Sequence, residues 1–502
     1  MFQLSIIVIY CFFLTFILLY CFAQLALVIQ YIKAKRQAKQ NSSLEKGTWE
    51  DWPVVTIQLP IFNEKYVIAR LIDHVVAMDY PLDKLEIQVL DDSNDETVSI
   101  VREKVNLLRK EGFDIHHICR GEQTDFKAGA LKYGLARAKG DFVAIFDADF
   151  MPDRQFLKVT LGYFKNPETG VVQTRWGHLN ENYSLLTKLQ SYALNAHFTI
   201  EQVGRNSAGH FINFNGTAGI WRKETIIDAG GWEGDTLTED LDLSYRAQLK
   251  GWKFVYLEDF FSPAELPAEM NALKSQQFRW AKGAAECTRK NLMSVLRASD
   301  IRFSTKIFAI FHLLNSVTWI SLFVTGLLLC PFMLIVENNP QYNSFFGLMS
   351  IYHLSFIILF LFYTVANSGE NLKRSRDYLR FLWHYPAFLS LALGISLNNA
   401  IGVFEGFLGK KSSFIRTPKF NIIDEQDSIA GKTYVTYKIS LVTVLEFVCL
   451  LYFTFGIFLS IDLGQFLATP FFVMMAGGFG VVLFYSYSHA VFSRRMVVKP
   501  AN

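Results

Sequence analysis

The stretch DFVAIFDAD, from Asp141 to Asp149, decides the fold of the charged part of this chain. Its apolar run from Phe142 to Phe146 has the length and character of a buried β-strand. Asp147 and Asp149 follow on the same side of the chain, because side chains alternate along an extended backbone. The stretch therefore predicts a buried strand that carries two carboxylates to one edge of a sheet.

Two similar runs precede it, VVTIQLP (Val54 to Pro60) and LEIQVLDD (Leu85 to Asp92). Helix-like stretches at Lys65–Met78 and Thr97–Glu111 separate the three runs. Apolar strands that alternate with helices predict an α/β domain with a mostly parallel, doubly wound sheet, in which ligands bind beyond the carboxyl ends of the strands. The three strand ends carry Asn63 and Glu64, then Asp91 and Asp92, then Asp147 and Asp149. We therefore expect these polar groups to share one crevice.

The composition divides the chain into an apolar part and a water-facing part. Of the 502 residues, 51% are hydrophobic and 46 are Phe, whereas 19% are charged. This balance predicts membrane-embedded helices beside a charged domain. The net charge of +3 is small for this length, so no nucleic-acid partner is expected. The six cysteines form no CxxC pair, and neither a disulfide framework nor a zinc site is indicated.

Long apolar stretches predict five transmembrane helices. The first has no charged side chain and is followed by Lys33, Lys35 and Arg36, which favours an uncleaved anchor with a cytosolic carboxyl end. The predicted layout is a transmembrane helix at 1–32, a cytosolic domain at 50–304 with an interfacial helix at 268–296, two transmembrane helices at 305–366, an interfacial or re-entrant segment at 381–407, a cytosolic loop at 408–438, two transmembrane helices at 439–490 and a cytosolic tail at 491–502.

The segment 381–407 is apolar enough to cross a membrane, yet it contains Asn398, Asn399 and Glu405. Polar groups are costly in lipid unless they have partners. If this segment crossed, the basic loop 408–438 would face outside, against the positive-inside tendency. An interfacial or re-entrant segment is therefore the better interpretation.

Four acidic residues at the strand ends and one lysine suggest binding chemistry. Asp147 and Asp149 offer two hard oxygen ligands that suit Mg²⁺ or Mn²⁺ bridging a diphosphate, although a solvated turn is the alternative. Asp92, with Asp91, could accept hydrogen bonds from a nucleobase or ribose, whereas an Asx turn or a helix cap explains the same pair. Lys127 could neutralise a nucleotide, or could be a solvated helix lysine.

Thr238-Glu239-Asp240 follows a glycine-bearing turn and opens a helical run. A carboxylate at a helix start is expected to have a lowered pKa, so Asp240 would be ionised and oriented as a general base is. The alternative is that Thr238 caps the helix and that Asp240 complements the helix dipole.

Gln276, Arg279 and Trp280 share one face of the helix predicted at 268–296. A guanidinium suits a pyrophosphate, and an indole suits the face of a sugar ring. An amphipathic helix lying on the membrane explains the same stretch, and the two interpretations are compatible.

These motifs, in this order and at this spacing, resemble those of the inverting processive glycosyltransferases of family 2, the cellulose, chitin and hyaluronan synthase group. Residues 50–300 are most similar to the cellulose synthase-like A and C proteins, in stretches such as VLDDSNDET, VAIFDADF, FNGTAGIWR and SQQFRW. The resemblance implies a GT-A-type domain beside transmembrane helices. It also implies transfer of a hexose from UDP-glucose or GDP-mannose to a growing β-linked polysaccharide, with export of the product.

The resemblance further implies a role for each candidate residue. Asp240 would deprotonate the acceptor hydroxyl, and Asp149, with Asp147, would hold Mg²⁺ or Mn²⁺. The implied nucleotide-binding residues are Glu64, Asp91, Asp92, Lys127, Asp147, Gln276 and Arg279, and the implied acceptor-binding residues are Asn215 and Trp280. The implied partners are a nucleotide-sugar donor, a polysaccharide acceptor and membrane lipids. The catalytic domain would be cytosolic in a multi-pass protein, of the inner membrane if the source is bacterial.

In that family a loop covers the active site, and the matching stretch here is Phe414-Ile415-Arg416-Thr417-Pro418-Lys419. It has Arg416 where the FxVTxK pattern of the cellulose synthases has Val.

Two rival functions are considered. A non-processive transferase with a lipid acceptor carries similar acids, but the extra C-terminal spans favour a polymer. A non-catalytic transporter or scaffold is disfavoured by the intact set of acids. The sugar, the linkage and any export partner stay open.

Overall fold

The computed structural model describes residues 1–40, 49–368, 374–412, 416–423, 426–427, 432 and 440–497. Two predicted segments lie partly outside these residues: the loop 408–438, including its Phe414 and Ile415, and the end of the tail 491–502.

A seven-stranded mixed sheet forms the centre of the charged domain. Its strands are β1 (Val55–Ile61), β2 (Leu85–Asp91), β3 (Asp114–Cys119), β4 (Phe142–Ile145), β5 (Thr169–His178), β6 (Gly219–Arg222) and β7 (Lys253–Ala264). Their order across the sheet is β3-β2-β1-β4-β6-β5-β7. All neighbouring pairs are parallel except the two that involve β6. The predicted α/β fold with a mostly parallel sheet is confirmed.

β1, β2 and β4 lie in the interior of the sheet, with helices on both faces, which is why their sequences are almost continuously apolar. The polar side chains in these strands bond to one another across the sheet. The Thr56 hydroxyl donates to the Glu86 carboxylate at 2.6 Å, and the Gln58 amide donates to Gln88 at 3.0 Å. These bonds give most of the buried polar atoms a partner without interrupting the strands, although Oε1 of Gln58 has none among the described residues.

The helices of this domain, in chain order after the N-terminal helix α1 (Phe2–Gln40), are α2 (Ile68–Val76), α3 (Thr97–Lys110), α4 (Phe126–Leu135), α5 (Phe156–Leu161), α6 (Leu185–Ala196), α7 (Gln202–Ser207), α8 (Lys223–Asp228), α9 (Glu239–Leu249) and α10 (Met270–Arg297). α3 and α10 agree with the predicted ranges to within two residues, whereas α2 begins three residues after the predicted start. A single π-helical turn, His197–Glu201, joins α6 to α7.

The apolar part consists of α1, α11 (Phe303–Leu313), α12 (Val317–Glu337), α13 (Asn343–Leu348), α14 (Leu354–Asn367), α15 (Ser375–Gly394), α16 (Ser396–Leu408), α17 (Leu441–Asp462) and α18 (Thr469–Val497). In the part of the chain that the structure describes, five helical segments are long and apolar enough to cross a membrane: Phe2–Gln37, Phe303–Glu337, Pro340–Asn367, Leu441–Asp462 and Thr469–Ser488. α15 and α16 meet at 41° and would make a sixth span if they formed one. The bend fits the interfacial or re-entrant prediction for 381–407.

α10 lies between the sheet domain and the apolar helices. Lys274 of α10 is paired with Glu446 of α17 at 2.6 Å, and Lys282 of α10 is paired with Glu405 of α16 at 3.1 Å. Charges buried in these contacts are retained only when they are paired. The two pairs therefore fix α10, which carries Gln276, Arg279 and Trp280, against the apolar helices.

Candidate active site

A cavity of about 350 Å³ opens at the carboxyl ends of β1, β2 and β4. The segments after these strands, the start of α9 and one face of α10 line it. Of the eleven residues predicted from the sequence, ten line this cavity: Glu64, Asp92, Lys127, Asp147, Asp149, Asn215, Asp240, Gln276, Arg279 and Trp280. Residues more than 200 positions apart in sequence, from Glu64 to Trp280, therefore share one site, as the strand ends predicted.

The structure does not bring Asp91, the eleventh residue, into the cavity. One of its carboxylate oxygens lies 2.7 Å from Nε2 of His117, and the other accepts the backbone N–H of Ser93 at 2.9 Å. Burial acts to raise the pKa of Asp91, but the hydrogen bonds from His117 and Ser93 outweigh it and hold that pKa below its usual value. Asp91 therefore fixes the turn that presents Asp92.

Asp92 lies in the cavity wall and is held there by Arg120. Nε of Arg120 donates to Oδ1 of Asp92 at 3.0 Å, and a terminal nitrogen of the same guanidinium pairs with Oδ2. The Gln123 amide donates to the backbone carbonyl of Asp92 at 2.7 Å. Arg120 was not predicted as a site residue, because it is a single arginine just after the edge strand β3 and belongs to no motif.

Asp147 and Asp149 each have a lysine ammonium group as partner. Nζ of Lys127 lies 2.5 Å from Asp147, and Nζ of Lys419 lies 2.7 Å from Oδ2 of Asp149. The same Asp149 oxygen accepts the backbone N–H of Glu265 at 3.1 Å. Asp149 is buried, so the solvated-turn interpretation does not describe it. Carboxylate oxygens that bind ammonium groups are also suitable ligands for a hard divalent cation. Such a cation would compete with Lys419 for Asp149.

Arg416, Thr417 and Lys419 of the predicted covering stretch line this cavity, and the two residues after it bind next to the cavity. The Arg416 guanidinium donates to both carboxylate oxygens of Glu64, at 2.9 and 2.6 Å. The backbone N–H groups of Phe420 and Asn421 donate to the Glu265 carboxylate at 2.9 and 2.8 Å. Burial raises the pKa of Glu64 to about 7, although Arg416 opposes this. The arginine that departs from the family pattern therefore has a defined partner, a predicted nucleotide-binding residue.

The expected low pKa of Asp240 is wrong. Burial, followed by the negative charge of the adjacent Glu239, raises the pKa of Asp240 to about 7, and the nearby Lys127 only partly opposes this. Desolvation outweighs the partial positive charge at the start of α9. The alternative of a simple cap is not supported either, because the Thr238 hydroxyl contacts Sγ of Cys287 at 3.3 Å and makes no capping hydrogen bond.

The segment that carries Asp240 is fixed to α10. Lys290 of α10 lies 2.5 Å from Glu233, 2.7 Å from Asp235 and 3.0 Å from the fully buried Asp242. The backbone N–H of Leu237 donates to the Glu286 carboxylate of the same helix at 2.8 Å. The two motifs that the sequence separates by more than 30 residues therefore form one rigid unit.

Gln276, Arg279 and Trp280 extend from the cavity-facing side of α10. A terminal nitrogen of Arg279 donates to the Thr417 hydroxyl at 2.7 Å. Burial lowers the pKa of Arg279 to about 10, while Glu239 and Asp147 act to raise it. Arg279 therefore remains a cation at neutral pH. The ion pairs of α10 with α16 and α17 show that this helix also packs on the apolar part, and binding of a pyrophosphate or a sugar by its cavity-facing side stays a prediction.

The sequence did not predict a role for four residues of the cavity wall: Trp176, His178, Glu239 and Glu265. Glu239 matters because its charge lies beside Asp240. Trp176 and His178 lie two positions apart at the end of β5, on one side of the strand. The only available signal was that β5 also ends at this edge of the sheet, and its sequence did not stand out as a strand.

The fold and the residues of this cavity define a class of protein, and comparison with known proteins names it. The family model described as "Glycosyltransferase like family 2" matches residues 53–283. "Glucomannan 4-beta-mannosyltransferase 7" of Arabidopsis thaliana is 34% identical over 376 residues, which cover 70% of this chain and 67% of that relative. The chain belongs to glycosyltransferase family 2, as the resemblance predicted.

A second relative is more similar over a shorter length. "Glucomannan 4-beta-mannosyltransferase 2" of Arabidopsis thaliana is 42% identical over 266 residues, which cover 52% of this chain and 50% of the relative. The chain spans about half the length of the first curated relatives it matches. Among solved structures, a mannosyltransferase from Pyrobaculum calidifontis in complex with GDP-Man and Mn²⁺ matches with 19% identity and a TM-score of 0.48, over 73% of this chain and 99% of that one.

Proposed function

We propose that this protein is a membrane-embedded, inverting hexosyltransferase that transfers mannose from a nucleotide sugar to the growing end of a β-linked polysaccharide of the glucomannan type. One observation carries the proposal: a single cavity combines Asp92 and Asp149, at the strand ends, with Asp240 and Arg279 from two helices. The names of the relatives supply the sugar and the polymer. GDP-mannose is the proposed donor, and UDP-glucose is the competitor to test against it.

The proposed donor would occupy the end of the cavity formed by β1, β2 and β4. Asp92 is oriented there by Arg120 and can accept hydrogen bonds from the nucleoside. Lys127 and Arg279 are cations in the same cavity and can bind the diphosphate. Asp149, with Asp147, would hold Mg²⁺ or Mn²⁺, which when bound would neutralise charge on the diphosphate.

At the other end, Asp240 is the proposed general base. Its raised pKa of about 7 makes it a stronger base than an ordinary carboxylate while leaving much of it deprotonated near neutral pH. Asp240 would take the proton of the acceptor hydroxyl as that oxygen attacks the anomeric carbon from the side opposite the diphosphate. Trp280 offers a ring face on which an acceptor sugar can stack.

The proposed location follows from the apolar helices. A domain fixed to these helices through α10 would deliver a polar polymer directly to a protein-lined path, so we propose a multi-pass protein with a cytosolic catalytic domain and export of the product. Residues 416–421 would act as a gate, because they must release Glu64 and Asp149 before a donor and a metal ion can bind.

The test is incubation of the purified protein in nanodiscs with GDP-mannose or UDP-glucose, with Mg²⁺ or Mn²⁺, followed by sizing of the products. The expected result is a ladder of β-linked oligosaccharides from GDP-mannose that requires a divalent cation. A single sugar attached to a lipid would instead support the non-processive alternative. Absence of nucleotide release with every donor would overturn the proposed activity.

A further inference from the structure

Behind the cavity, a group of hydrogen-bonded side chains holds Asn215, a predicted acceptor-binding residue. The group lies on the π-helical turn His197–Glu201 and the start of α7. A π-helical turn widens the backbone and often marks a functional position. Here it places His197 and Gln202 against the loop that carries Asn215.

The orientation of the Asn215 amide follows from its neighbours. The amide nitrogen of Gln202 donates to the backbone carbonyl of Asn213 at 3.0 Å, which fixes that nitrogen as a donor. It lies 3.2 Å from Oδ1 of Asn215, which also accepts from the Asn213 amide at 2.8 Å. Oδ1 of Asn215 therefore points into the protein. Among the described residues, Nδ2 of Asn215 is buried and has no hydrogen-bond partner.

His197 lies between two oxygen acceptors. Its Nδ1 is 2.9 Å from a Glu201 carboxylate oxygen, and its Nε2 is 3.0 Å from Oδ1 of Asn215. Both partner atoms can only accept, so the ring can donate a hydrogen bond to the Glu201 carboxylate through Nδ1 and to Oδ1 of Asn215 through Nε2.

Glu201 carries the negative charge of the group. Burial acts to raise the pKa of Glu201, but Arg205 and His197 outweigh it and hold that pKa below its usual value. Arg205 lies 3.3 Å from the carboxylate, and the amide of Gln24, on α1, donates to its other oxygen at 2.9 Å. The group is thus linked to the first apolar helix.

Asn215 is also close to the proposed base. The next residue, Gly216, has φ of +77°, and a Cβ atom there would lie only 3.1 Å from Oδ2 of Asp240. This backbone conformation suits glycine, and the missing side chain leaves room for the carboxylate. The carbonyl of Gly216 also accepts from Nζ of Lys127 at 2.9 Å, so Asn215 lies on the acceptor side of the cavity where the two ends meet.

We infer that His197 and Glu201 are positioning residues that hold the Asn215 amide with its N–H₂ group available to a hydroxyl of the acceptor sugar, with Gln24 linking them to α1. The inference rests on the proposed function. Because these residues contact neither the donor end nor Asp240, their loss is expected to weaken acceptor binding and to leave donor binding unchanged.

The experiment compares His197→Gln, Glu201→Gln and Asn215→Ala in nanodiscs, with KM measured separately for a β-linked manno-oligosaccharide acceptor and for GDP-mannose. Each variant is expected to raise the acceptor KM about tenfold and to change the donor KM by less than about twofold, as loss of one hydrogen bond predicts. Gln24→Leu, which removes only the outermost contact, should give a smaller increase of about threefold.

Two controls distinguish positioning from general damage. His210→Gln changes a buried histidine bonded to Thr305, and Glu181→Gln changes a carboxylate paired with Lys188. Both should leave the acceptor KM unchanged. In the double variant His197→Gln/Asn215→Ala, the acceptor KM should equal that of Asn215→Ala alone, because the histidine acts through the asparagine.

An unchanged acceptor KM in His197→Gln, an equal loss of donor affinity, or additive effects in the double variant would overturn the inference while the proposed function stands. Wild-type protein that releases no nucleotide from any donor would overturn both. If His197→Gln fails to fold, Asn215→Ala and Gln24→Leu decide the question, since each changes the group without removing its buried ion pair.

Discussion

The acidic residues at the two ends of the cavity have different charged partners. At the donor end, Asp92, Asp147 and Asp149 each have a cationic partner, namely Arg120, Lys127 and Lys419. At the acceptor end, Asp240 has no ion pair among the described residues and lies beside Glu239, and its pKa is raised to about 7. On the proposed function, this difference would let one protein use the same functional group for two tasks. A paired carboxylate would attract and orient charge, whereas Asp240, without an ion pair, would be ready to take a proton.

The largest expected effect is that of Asp240→Asn. The amide keeps the size of the side chain but cannot take a proton, so polymer formation should fall by about 10³-fold or more. Radiolabelled polymer from GDP-mannose measures it, with the exposed Asp83→Asn as the matched control. Elongation by purified Asp240→Asn near the wild-type rate would show that Asp240 is not the base.

Asp149→Asn should reduce transfer by about 10²-fold, because a cation that stabilises charge on the diphosphate loses its most buried ligand. Rates measured over a range of Mn²⁺ concentrations are expected to require much more metal ion for half-maximal activity. An unchanged metal requirement would contradict the assignment of Asp149 to metal binding, since Asp149 would then serve only to hold Lys419.

The pH dependence of the transfer rate should reflect the protonation of Asp240 at the acceptor end. Asp240 acts only when deprotonated, so with a folded-state pKa of about 7 the rate at saturating donor should fall about tenfold per pH unit below that value. Glu239→Gln removes a negative charge that raises the pKa of Asp240, so the acid limb should move to lower pH. A limb that stayed in place in this variant would exclude Glu239 as the cause.

The smallest expected effect is that of Lys419→Met at the donor end. Without its ammonium group Asp149 is free, and the Mn²⁺ concentration for half-maximal activity should fall by about threefold to tenfold. Lys250→Met removes an exposed lysine paired with Asp228 and should leave the metal requirement unchanged. An increased metal requirement in Lys419→Met would mean that the lysine assists metal binding instead of competing with it.

The sequence predicted β1, β2 and β4 and missed the other four strands of the sheet. β1, β2 and β4 are buried on both faces and therefore read as apolar runs. β3 is a half-exposed edge strand with two histidines, and β6 is a four-residue antiparallel strand, so neither has a pattern of its own. Most of the site could be predicted, because acids at parallel strand ends must meet.

What could not be predicted was the partner of each acid. Arg416 lies 352 positions from Glu64, and Lys419 lies 270 positions from Asp149. Such pairs arise only when the chain has folded, and they decide whether a carboxylate is satisfied. The raised pKa of Asp240 had the same origin: the helix start was visible in the sequence, but the burial that outweighs it was not.

The most direct test of the division between the two ends is the binding of GDP-mannose, in the presence of Mn²⁺, to Asp240→Asn and Asp149→Asn by calorimetry. Asp240→Asn is expected to bind the donor with nearly wild-type affinity although it forms no polymer, whereas Asp149→Asn is expected to bind it much more weakly. Weak donor binding by Asp240→Asn together with normal binding by Asp149→Asn would contradict the assignment of the two ends.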